Sequence, residues 1–134
     1  MRWNSTGDPS SWPYRTGVDK HRQLVAWQYC RELVREVYRI TAGFPVEERF
    51  GLTLQLRRAA VSAVANIAEG HARLGTGELA HALSMALGSL AEVDTLLWVA
   101  MDLRYAAEPE LASLNVLRER ASRVTFGLQR KVRR

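Results

Sequence analysis

The chain has 134 residues, 47% of them hydrophobic, and a formal net charge of +5, which predicts one domain with a core that needs no disulfide. Its single cysteine, Cys30, excludes an internal disulfide. With no run of about 18 apolar residues and no apolar centre in the first ten, neither a membrane span nor a signal peptide is expected, and the expectation is a soluble cytoplasmic protein.

Residues 1–19 hold Gly7, Pro9, Pro13 and Gly17 with several Ser and Thr, a composition that disfavours regular structure and predicts a flexible N-terminal arm. Trp3, Trp12 and Tyr14 within it offer aromatic groups that could dock on a neighbouring subunit. The bundle proper is expected over 20–131. Its first helix spans about 21–42, where Leu24, Trp27, Cys30, Val34, Val37 and Thr41 recur at three and four. Gly43 follows as a stop. Pro45, Glu47 and Glu48 then suit a helix start, with the acids at the positive end of the dipole.

The second helix spans about 46–70, with Gly51 as a weak point that could detach its first turns. A short link from His71 to Gly75 makes the second and third helices antiparallel neighbours. The third, capped by Thr76, spans about 76–105 with Leu79, Leu83, Leu87, Leu90, Leu97 and Met101 as its stripe. Pro109 opens the fourth, about 109–130, whose stripe is Leu111, Leu114, Leu117, Ala121, Val124 and Leu128, and 132–134 form a basic tail. Four helices, short links and no strand signal give an all-α, antiparallel up-down-up-down four-helix bundle.

The stretch from Gln55 to Glu92 is rich in small residues. Ala59, Ala60, Ser62, Ala63, Ala65 and Ala68 in one helix, and Ala82, Ala86, Gly88, Ser89 and Ala91 in the next, leave surfaces on which backbones can approach closely. Gly88 is expected at that crossing, because a glycine inside a helix costs about 1 kcal/mol against alanine and needs a packing reason.

Three segments here, Gln55 to Ser62, Asn66-Ile67-Ala68-Glu69-Gly70 and Ala86 to Glu92, resemble in order the four-helix-bundle proteins of 23S rRNA intervening sequences. The likeness extends to the Phe44-Pro45 turn and the Trp27 helix, over roughly 20–105. That family commonly has Ile-Pro-Ser before the Asn66 run. Ala63, Val64 and Ala65 stand there instead, so the proline that would kink the helix is missing. The resemblance implies a four-helix bundle and a homopentamer. Accessory proteins of diversity-generating retroelements are similar in fold, and that analogy implies basic pentamers with both nucleic-acid and protein partners.

Chemistry is sparse. Glu78 and His81 have the Glu-x-x-His spacing of di-iron bundles, but no second such pair occurs, so no metal and no cofactor are expected. Cys30 lies on an apolar stripe without a histidine nearby in sequence and is expected in the core. No phosphate-binding loop, dinucleotide fingerprint or nucleophile elbow is present, and no catalytic residue is assigned. Arg58, Asn66, Glu69 and Glu92 are expected as an interhelical polar network that fixes which helix meets which.

Charge is the positive functional signal. From Leu117 onward Arg118, Arg120, Arg123, Arg130, Lys131, Arg133 and Arg134 face only Glu119, so this segment carries +6 and the rest of the chain −1. Repeated around an oligomer, such segments would concentrate positive potential and attract RNA or DNA. The expectation is a non-enzymatic oligomeric scaffold binding nucleic acid through these seven residues. A protein-partner adaptor with no nucleic-acid binding is the alternative.

Overall fold

The computed structural model describes residues 17–73 and 75–133. Residues 1–16 of the expected arm and Arg134 of the expected tail lie outside them. A 3-10 helix, Gly17–Gln23, leads into α1, Val25–Thr41; after it come α2, Leu52–Ala72, α3, Thr76–Asp102, and α4, Glu108–Val132. No strand occurs among the described residues.

The first helix therefore begins later than its periodicity suggested. Leu24 is extended (φ −71°, ψ 126°) and caps α1, while the Gln28 side chain donates to the Arg22 carbonyl at 3.0 Å and holds the 3-10 turn against it. The second helix is split where Gly51 predicted. Val46–Glu48 forms a separate 3-10 turn, and Gly51, with φ −106° and ψ −116°, breaks the path before α2. Glu48 ties this corner together: its carboxylate accepts from the Leu52 amide at 3.2 Å and from the Tyr105 hydroxyl at 2.8 Å. Past Ala63, Val64 and Ala65 α2 continues without interruption, as the missing proline requires.

Gly75 rather than Thr76 caps α3. The far end of α3 closes with Arg104 at φ 58°, its amide bonded to the Met101 carbonyl and the Tyr105 amide to that of Ala100. This paired closure satisfies carbonyls that would otherwise be orphaned, here without the usual glycine. Pro109 sits in the first turn of α4, where its lack of an N–H costs nothing.

Cross-helix contacts order neighbouring helices in opposite senses. Arg57 near the start of α2 reaches Thr41 at the end of α1 at 2.9 Å, and Ser62 meets Ser89 at 2.9 Å. Gln129 late in α4 donates to the Ala80 carbonyl early in α3 at 3.1 Å, and Asn115 early in α4 donates to Asp94 further along at 2.9 Å. The core between them contains Leu33, Val37, Leu56, Ile67, Leu83, Leu90, Leu97 and Leu111. Cys30 is fully buried in it, and burial pushes its thiol up to about 12, an effect the Thr125 hydroxyl only partly offsets. A thiol held neutral in an apolar setting is a packing residue and a poor nucleophile.

Helix α3 is by length and composition long and apolar enough to cross a membrane, although Glu78, Glu92 and Asp94 interrupt its apolar residues. Nine of its side chains, among them Ala82, Leu83, Ala86, Leu90 and Val93, are buried within the bundle, and a helix flanked by two others needs apolar residues on two faces.

The small-residue hairpin of α2 and α3 makes the most extensive helix pairing in the bundle, but its crossing is elsewhere than expected. Gly88 is exposed and a Cβ there would meet nothing within 4 Å. Gly70 occupies the tight position: a Cβ on it would overlap the Ala82 Cβ and lie 3.3 Å from Leu79 Cδ1.

Candidate nucleic-acid interface

The six C-terminal cations among the described residues do not form one set. Arg118 is turned toward α3, its side chain only 17% exposed. Its Nε donates to Asn115 Oδ1 at 2.8 Å, its other nitrogens reach Ser122 at 3.4 Å and Asp94 at 3.5 Å, and Asn115 also donates to Asp94. That closed Asp94–Asn115–Arg118 group joins α3 to α4 and uses the charge internally. A shielded pair of this kind contributes more than a surface one, so Arg118→Met should cost about 1–2 kcal/mol and leave nucleic-acid affinity unchanged. Urea unfolding read by circular dichroism checks the first part, and an unshifted midpoint would show that the group is not holding the helices.

Arg120 lies over a groove between α1 and α4 whose walls include Glu32, Glu36 and Glu110. Arg123 is paired with Glu119 on its own helix at 2.6 Å. Arg130, Lys131 and Arg133, all exposed, remain in the last turns, with Arg133 reaching Ser84 at 3.5 Å. None of these three enters an ion pair with a described residue. They follow from local sequence: basic residues at a helix C-terminus complement the dipole, and Gln129 beneath them anchors the last turns through its buried amide, bonded to Ala80 and to the Ser84 hydroxyl.

Helix order adds what the linear charge count missed. With α4 ending where α3 starts, and the 3-10 helix packed on α1 and α2, Lys20 and Arg22 stand at the same end of the bundle as the tail. The α2–α3 corner there offsets itself, since Arg73 is 2.8 Å from Glu69 and 3.9 Å from Glu78. Pairing the ends of an antiparallel bundle would have located this gathering from sequence. Phe126, 51% exposed with the Arg130 guanidinium 5.9 Å from its ring centre, had no signal beyond an apolar residue off the stripe.

The expected polar network does not form. Arg58 and Glu69 are eleven residues apart on one helix, or about 16 Å along its axis, and Glu69 instead binds Arg73. Arg58 and Glu92 are exposed and make no hydrogen bond or ion pair with a described residue. The α2–α3 contact is too close for long side chains, and hydroxyls replace them: Ser62 and Ser89 bond across it, and Asn66 donates to the Ser62 carbonyl at 2.8 Å and to its hydroxyl at 3.1 Å. Glu78 is held beside Arg73 and His81 is exposed. Among the described residues no three of His, Cys, Asp and Glu are grouped to hold a metal.

Comparison with solved structures finds a protein of unknown function from the S23 ribosomal protein family of Bacteroides thetaiotaomicron. It superposes with a TM-score of 0.71 at 18% identity, over 78% of this chain and 98% of that one, a likeness that establishes the fold alone. Comparison with curated proteins returns no match. The sequence profile of the 23S rRNA-intervening sequence proteins matches residues 22–127, nearly the whole helical region, and with the four-helix fold in place the chain belongs to that family.

Proposed function

We propose that this protein is a cytoplasmic, non-enzymatic, cyclic homo-oligomer, a pentamer by its family likeness, that binds the phosphate backbone of nucleic acid with the basic end of its bundle. The observation that carries the reading is the position of Arg130 and Lys131: exposed on the last turns of α4, with no carboxylate partner among the described residues, at the end that also holds Lys20, Arg22 and Arg133. Only a few cations per subunit contribute, so affinity depends on repetition around the ring, where linked weak contacts add. Phosphate attraction of this sort carries no sequence preference.

The test is binding of an RNA and a DNA oligonucleotide at about 50 and 200 mM salt, where release of several counterions should weaken affinity tenfold or more. Chains ending at Gln129 should keep the fold, because the buried Gln129 anchor is retained, and should show a shallower salt dependence. No binding at the lower salt would remove the reading. The adaptor alternative is favoured by a separate observation, the exposed Trp98 and Val116 flanking an open groove with Met101 and Ala112. Salt-resistant capture of one specific protein would support it.

A further inference from the structure

We infer that the outer face of α4 takes single-stranded rather than duplex nucleic acid, with Phe126 as the platform on which a base stacks. The inference rests on the nucleic-acid reading above and adds the substrate class. Positions 123, 126, 130 and 133 follow the three-and-four spacing of one helix face, so Phe126 lies one turn from Arg123 and one from Arg130, with Arg133 beyond. Its ring is 51% exposed, whereas Thr125 and Gln129 beside it are buried; the core is filled without it. Arg130 stands 5.9 Å from the ring centre. Gly127, next to it, is exposed and adds no side chain beside it. Glu119, one turn before Arg123, is paired with it at 2.6 Å.

An aromatic ring beside Arg130, which has no carboxylate partner among the described residues, suits a strand whose bases are free to turn outward, one base face against the ring and a flanking phosphate against the guanidinium group. A duplex keeps its bases stacked inside, and exposing one costs a few kcal/mol, so a duplex would use only the charges. Phe126 then has no role in duplex binding, and the two substrates can be separated by one substitution.

The experiment compares full-length protein with Phe126→Ala and Phe126→Trp, using a labelled 12-nucleotide single strand and a duplex of the same sequence at about 50 mM salt, with light scattering on each variant. The single strand should bind more tightly than the duplex. Phe126→Ala should weaken single-strand binding about fivefold or more, leave duplex binding and oligomer mass unchanged, and keep the salt slope; Phe126→Trp should retain the preference. Equal affinity for both substrates with no effect of Phe126→Ala would overturn this inference and leave the phosphate reading intact. A change in oligomer mass with Phe126→Ala would also overturn it, by assigning the ring to a subunit contact. Absence of binding to either substrate would remove both readings.

Discussion

Gly70→Leu is expected to destabilise the bundle by about 3 kcal/mol, the upper part of the range for overpacked cores, and to lower the melting temperature by roughly 10 °C. The reason is that both groups in conflict are fixed to backbones. A Cβ at position 70 would overlap the Cβ of Ala82, with the Leu79 Cα 3.5 Å away, and no rotamer change relieves that. The helices must move apart, which also opens the Ser62–Ser89 contact at 2.9 Å and disturbs the core that includes Ala63 and Ala86. Gly88→Ala should have the opposite sign. With open space around it, alanine there brings only the helix-propensity gain of up to about 1 kcal/mol. Thermal unfolding of the two variants decides the matter. Equal melting temperatures for Gly70→Leu and the parent would show that α2 and α3 are not in contact at that point. A loss in Gly88→Ala would mean that something outside the subunit packs on α3.

Leu97 and Trp98 should separate folding from assembly although they are adjacent in sequence. Leu97 is 2% exposed in the core, and Leu97→Ala should cost about 2–5 kcal/mol through lost burial and the cavity left behind. Trp98 is 55% exposed, so Trp98→Ala should change subunit stability by less than about 1 kcal/mol. Its expected effect is on association, because an exposed tryptophan next to Val116 and Ala112 is the kind of anchor that interfaces bury. Light scattering after gel filtration at micromolar concentration should show the oligomer weakened in Trp98→Ala, with helical content retained. An unchanged mass would place the subunit contact elsewhere. A parent protein that is itself a monomer would end the oligomer proposal and with it the multivalent binding argument.

Both predictions depend on which way a side chain points, and that marks the boundary of what the amino-acid order could tell. Four helices, their short links, the break at Gly51 and the proline start of α4 were legible because they depend on local chemistry: apolar spacing, restricted backbone angles and missing amides. The basic C-terminus was legible as a count. Its division was not, since Arg118 and Arg130 are alike in sequence and differ only in having Asp94 and Asn115, from across the bundle, within reach. Gly70 and Gly88 likewise sit in the same small-residue run, and the crossing of α2 with α3 alone decides that one meets Ala82 and the other meets solvent. Composition sets how closely two helices can approach. The rotation of each about its axis, a property of the packed bundle, determines which residues make the contact.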